Sequence, residues 1–353
     1  EGPSEQMLFE KIFATIHPFY EADGTPIPKD WLVFGNGASD ILYAVVSAIR
    51  PKQAILLAPG FSEYEQALRM CGCKIRWLHL REENGFSLES TREELYAMLC
   101  DGSGDASKID SVPTLSSKHE NVWEKILILG NPNNPTGRAI SATELERLAE
   151  VCRETHTWLM LDECFQWFLD TRRECSFVGN LLNGVGDHVI LLNALTKICS
   201  MAGLRLGYGI ISNAGLRERL EKFRQPWSVS APAQAGGVAA FAVLAAHSEG
   251  NLLEWTVKSL QTERPRLAEK LEELGFIVYP SQTNYLLFRS PDEDSRDYKQ
   301  GCLEHGILIR ACENFEGLNR HYYRVAVRNR GENERLINIL KEVQSEEKHN
   351  VNL

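Results

Sequence analysis

The chain has 353 residues, 43% of them hydrophobic and 24% charged, and 38 Lys+Arg against 48 Asp+Glu leave a net charge of −10. That is room for two domains with ordinary globular composition, and the acidic balance excludes a broad nucleic-acid footprint while leaving room for a locally basic pocket. The longest unbroken apolar run, residues 238–246, is too short to cross a bilayer, and the first residues are acidic rather than a basic and apolar leader, so a cytoplasmic protein without nucleic-acid or membrane partners is expected.

Residues 1–20 read as an acidic start leading into a helix, and residues 23–28 (Asp-Gly-Thr-Pro-Ile-Pro) as a turn-rich break. A short apolar run from Trp31 meets Gly35 and Gly37, after which Ser39 is placed to cap a helix over 41–49. Glycines before a helix start expose backbone N–H groups to an anion. A buried strand at 54–58 ends in Pro59-Gly-Phe61, followed by a helix over 63–70. Strands at 73–78 and 125–129 follow, joined through a helix at 91–99 and a polar stretch at 101–118 that reads as a surface insertion.

Nine cysteines, an odd number in mostly apolar settings, suit reduced core thiols, and Cys71 and Cys73 alone do not make a metal site. The strand at 125–129 runs into Gly-Asn-Pro-Asn-Asn-Pro-Thr-Gly (130–137), and Ser141 with Glu144 forms a capping box for a helix to Cys152. A strand at 157–161 ends in Asp162-Glu163, one at 189–192 delivers Thr196 and Lys197, and one at 206–211 follows Arg205. Strands alternating with helices, with polar residues at strand ends, predict a mostly parallel α/β sheet with its site along that edge. A strand end in such a crevice offers the desolvation that would make the Lys197 amine a nucleophile.

From about residue 216 the pattern changes to helices at 218–223 and 251–274, an Ala-rich helix between them, and short strands at 276–279, 284–288, 306–310 and 322–327 alternating with helices at 295–305 and 332–347. This predicts a smaller α+β C-terminal domain. Residues 1–24 are assigned to that small domain, 25–250 to a large domain and 251–353 to the small one.

The polar residues form a chemically coherent set. Asp162 could keep a pyridine nitrogen protonated, Lys197 could condense with an aldehyde, and Phe61 could stack on an aromatic ring. Asn134 could bond a phenolic oxygen, while Arg205, Thr196 and Gly37-Ala38-Ser39 could hold a phosphate. Taken singly, each also suits a structural role: the asparagines in a turn, Phe61 in a core, the arginines in solvent. The order Asn134, Asp162, Lys197, Arg205, at spacings of 28, 35 and 8 residues, is the specific signal.

Asn-Pro-Thr-Gly (134–137), Asp-Glu-Cys-Phe (162–165) and Leu-Thr-Lys with Gly-Leu-Arg-Leu-Gly-Tyr (195–208) resemble fold-type I pyridoxal-phosphate enzymes of the class I/II aminotransferase group. Within it, the run from Gly306 to Leu318 and Tyr-Tyr-Arg-Val (322–325) most resemble threonine-phosphate decarboxylases, with histidinol-phosphate aminotransferases next. The resemblance implies pyridoxal 5′-phosphate, a homodimer, and decarboxylation of L-threonine O-3-phosphate to aminopropanol phosphate in cobalamin biosynthesis. It places Arg324 and Asn284 on the substrate, with Arg310 and Arg328 as further anion holders; Arg324 and Arg328 have the even spacing of one strand face. Two departures stand out: Phe165 replaces the tyrosine that aminotransferases direct to the ring's phenolic oxygen, and Ala194 replaces a phosphate-binding hydroxyl. The relatives' N-terminal arm and a partner-subunit tyrosine would lie upstream of this start. Transamination of the histidinol-phosphate type and a non-catalytic coenzyme-binding effector domain are the alternative functions.

Overall fold

The computed structural model describes residues 27–100, 123–171, 175–244 and 252–350. The helix expected within 1–20, the segment 1–24 assigned to the small domain and the polar stretch 101–118 lie outside them. Strands β1 (Leu32–Asn36), β2 (Gln53–Ala58), β3 (Lys74–His79), β4 (Lys125–Gly130), β5 (Thr157–Asp162), β6 (Val189–Ala194) and β7 (Leu206–Ile211) form one sheet in the order β1-β7-β6-β5-β4-β2-β3. The run β6-β5-β4-β2-β3 is parallel, and β7 is antiparallel to both β6 and β1. One edge therefore collects the C-terminal ends of six strands and the start of β7, and every strand-end residue singled out above falls on that edge.

Period-two alternation explains why the central strands are apolar throughout. Leu127, Leu159, Leu161 and Leu191 enter one apolar cluster, while Ile126, Ile128, Met160 and Ile190 enter another on the opposite face. Helices α1 (Ala38–Ile49), α2 (Ser62–Met70), α3 (Arg92–Cys100), α4 (Ala142–Glu154), α5 (Val178–Leu182), α6 (Ala214–Glu221) and α7 (Ala231–Leu244) punctuate these strands. After α8 (Leu252–Glu273) come β8 (Ile277–Val278), β9 (Tyr285–Arg289), α9 (Tyr298–Glu304), β10 (Arg310–Ala311), β11 (Tyr322–Ala326) and α10 (Arg330–Asn350). Their strands make a separate antiparallel sheet, β10-β11-β9-β8. The mostly parallel sheet with helices and the smaller α+β unit are as expected.

Several local expectations are corrected. Ser39 does not cap α1: Gly37 is the cap, at φ 83°, and Ser39 lies inside the first turn, while the Asp40 carboxylate accepts the Asn36 N–H at 3.0 Å. Ser141 does cap α4, accepting the Glu144 N–H at 3.3 Å, but the buried Glu144 carboxylate accepts from Tyr96 at 2.9 Å. Of the strand expected at 306–310 only Arg310 is in a strand, the two-residue edge β10 (Arg310–Ala311), the stretch that pairs with β11. Among the described residues no helix is long and apolar enough to cross a membrane, and no group of His, Cys, Asp or Glu could hold a metal ion.

Candidate active site

Asp162 ends β5, and the ladder continues one bond past it: the Asn131 N–H donates to the Asp162 carbonyl at 2.8 Å, and the Glu163 N–H to Leu192 at 2.8 Å. Backbone fixed on both sides aims the carboxylate. Its Oδ2 accepts from the Tyr64 hydroxyl at 2.8 Å and its Oδ1 from the Cys164 N–H at 3.0 Å.

The loop after β4 divides its asparagines between two jobs. Asn131 and Asn133 are buried and structural: Asn131 accepts from the Ile140 N–H at 2.8 Å and donates to Cys175 at 2.7 Å, and Asn133 donates to Pro59 at 3.0 Å. Asn134 is the one that faces the cavity.

At the end of β6, Thr196 is buried and Lys197 projects with Nζ 5.9 Å from the centre of the Phe165 ring. Lys197 is exposed in the chain by itself, contrary to the desolvated amine expected from the strand end. It stands in a turn three residues beyond β6, with a wall on one side and an open mouth on the other. Just before β7, Arg205 takes φ 60°, in the left-handed region, and its Nη1 donates to the Ala202 carbonyl at 3.3 Å. A Cβ on Gly37 would lie 2.6 Å from Arg205 Nη2, and one on Gly207 would lie 2.2 Å from the Ala38 nitrogen. Only glycine at both positions lets the guanidinium lie beside the start of α1, where a cation and free N–H groups together suit an anion.

These side chains converge. A cavity of about 250 Å³ is lined by Ala38, Ser39, Phe61, Asn134, Asp162, Phe165, Ala194, Thr196, Lys197 and Arg205. Gly37 contributes the missing side chain that makes room for Arg205. Sequence reasoning missed Tyr64 and Cys164, which also line the cavity. Tyr64 follows Phe61 by three residues, one helical turn, and that periodicity was the available signal.

A second cavity of about 530 Å³ shares Phe165, Lys197 and Arg324 with the first and brings in Asn284, Arg310 and Arg328. Arg324 and Arg310 are directly opposed across β10 and β11. Arg324 lies 4.9 Å from the centre of the Tyr285 ring and donates to the Asn134 side-chain oxygen, while Arg310 donates to Asn314 at 2.8 Å. Arg328 lies two residues beyond the end of β11 at Ala326 but lines the same cavity as Arg324, and it pairs with Glu332 at 2.8 Å. Asn284 Oδ1 is buried without a hydrogen-bond partner. Arg335, also missed, completes the basic lining; it follows Glu332 by three residues on α10. Like charges facing each other on adjacent strands are destabilising, so this cavity suits an anionic ligand.

The chain has recognisable relatives among known proteins. The family model for aminotransferase class I and II matches residues 14–340. A threonine-phosphate decarboxylase of Salmonella typhimurium is 34% identical over 90% of this chain and 78% of its own length. A histidinol-phosphate aminotransferase of Methanococcus maripaludis is 24% identical over 88% of this chain and 75% of its own. Among solved structures, the histidinol-phosphate aminotransferase from Clostridium acetobutylicum superposes with a TM-score of 0.74 at 25% identity, covering 96% of this chain and 90% of that one.

Proposed function

The chain belongs to the aminotransferase class I and II family, and on that premise we propose that it binds pyridoxal 5′-phosphate and decarboxylates L-threonine O-3-phosphate to aminopropanol phosphate. The residues fit the coenzyme. Lys197 would hold its aldehyde, Asp162 its ring nitrogen and Phe61 a ring face. Asn134 would bond the phenolic oxygen, and Gly37, Ala38, Ser39, Thr196 and Arg205 would hold the phosphate. The space left by Gly37 for the Arg205 guanidinium is the observation that supports this fit. When bound, the coenzyme supplies an electron sink for the bonding pair released at the substrate's α-carbon.

The opposed pair Arg310 and Arg324, with Arg328 and Arg335 in the same cavity against the single carboxylate of Glu332, carries the substrate reading. A phosphorylated amino acid brings a carboxylate and a phosphate of about −1.5 to −2, which such a cluster matches and which a lone carboxylate would not require. Arg324 decides the outcome by what it grips. Holding the phosphate, it leaves the carboxylate free to depart as CO₂; holding the carboxylate, it leaves the α-proton to Lys197 as base. Phe165 offers no hydroxyl to the phenolic oxygen, which favours the first outcome over ordinary transamination. The 34% identity to a decarboxylase points the same way.

Transamination of the histidinol-phosphate type is the second reading, favoured by the relatives at 24% and 25% identity. The proposal further takes the enzyme as a cytoplasmic homodimer acting in cobalamin biosynthesis, with a large domain over 25–250 and a small domain made of 1–24 and 251–353. Incubation with O-phospho-L-threonine should release CO₂ and aminopropanol phosphate without an acceptor. Glutamate formed only when 2-oxoglutarate and coenzyme turn over together would reject decarboxylation. Lys197→Ala should abolish the visible band of bound coenzyme and slow the reaction at least about a thousandfold.

A further inference from the structure

Tyr64 is buried, at 5% exposure, on the first turn of α2, and its hydroxyl donates to Asp162 Oδ2 at 2.8 Å. Its ring meets Phe61 edge to face, with centroids 5.4 Å apart at 85°. One short helix therefore delivers both the ring wall of the cavity and a donor to the carboxylate at its floor. Burial first, and the Asp162 charge second, hold the phenol well above its ordinary range, so Tyr64 remains a donor at every working pH. The other carboxylate oxygen takes the Cys164 N–H at 3.0 Å. The backbone bond survives any side-chain change, whereas the phenol bond depends on one residue.

We propose that Tyr64 is a positioning residue: its hydroxyl aims the Asp162 carboxylate into the cavity and occupies one of its oxygens, and so sets how firmly a ring nitrogen seated there keeps its proton. This rests on the reading that a pyridoxal coenzyme occupies the cavity. With the hydroxyl gone, the carboxylate has one donor fewer and becomes more basic, drawing the shared proton away from the ring. Coenzyme affinity and the acid–base behaviour of the bound coenzyme both change as a result, without any contact between Tyr64 and the reacting atoms.

Tyr64→Phe in the full chain is the test. It removes one oxygen and leaves the ring against Phe61, and the melting temperature of the coenzyme-free protein is the control for folding. The expected result is coenzyme binding weakened about ten- to a hundredfold, the loss of a hydrogen bond to a charged group, and an upward displacement of the pH midpoint of the bound coenzyme's visible absorbance. In coenzyme-free protein, the melting shifts of Tyr64→Phe and Asp162→Ala should also be non-additive, because each removes the same bond. An unchanged affinity and midpoint in Tyr64→Phe overturns the proposal, as does strict additivity of the two melting shifts. A parent protein that takes up no coenzyme overturns the coenzyme reading as well; a parent that does, beside an indifferent Tyr64→Phe, overturns only the role given to Tyr64.

Discussion

Asp162 and Glu163 are neighbouring carboxyls with opposite surroundings, because consecutive residues at a strand end point to opposite sides. Asp162 opens on the cavity, whereas Glu163 is 1% exposed and accepts from Ser176 at 2.9 Å and the Phe177 N–H at 3.1 Å. Burial outweighs those bonds and pushes the Glu163 carboxyl up to about 8 from its ordinary 4.5. The folded state then holds a proton that the unfolded chain has released, so stability is fully present below about pH 4.5 and falls as pH rises toward about 8. The slope approaches roughly 1.4 kcal/mol per pH unit within that window. Melting temperature measured from pH 5 to 8 should fall less steeply in Glu163→Gln than in the parent; parallel curves would show that Glu163 is not the group responsible.

At the scale of elements, α1 shows how a helix start comes to line a cavity. Gly37 caps it at φ 83°, a conformation other residues enter only with strain, and its missing side chain is the space beside Arg205. Gly37→Ala should cost on the order of 1–3 kcal/mol of stability and, on the proposed function, weaken the phosphate-dependent part of coenzyme binding, compared by titrating pyridoxal phosphate against pyridoxal. Equal losses for both ligands would remove the phosphate role from this turn. Ser39 looked like the cap because serine is the usual residue there; the close approach of Gly207 to Ala38 moved the helix start back by two residues. Ser141, free of such crowding, caps α4 as its sequence suggested.

Across the whole molecule, the two sheets are tied at Glu82, in the turn after β3. Its carboxylate accepts from Tyr279 and, at 2.8 Å, from Tyr322, and pairs with Arg289 at 3.3 Å, all three from the segment of the small sheet. Glu82→Gln keeps the shape and removes the charge, and should lower stability by roughly 1–3 kcal/mol, read as a shift of the urea midpoint; an unchanged midpoint would assign the tie to apolar packing. The sequence by itself determined the order of strands and helices and most of the polar residues that line the first cavity, because buried parallel strands must be apolar throughout and therefore push polar chemistry to their ends. Only the tertiary structure decided which arginines meet, that Tyr64 reaches Asp162, and that Glu163 is sealed away. Those facts depend on which side chains the fold brings together across separations from 13 to 98 residues, and no periodicity along the chain encodes those pairings.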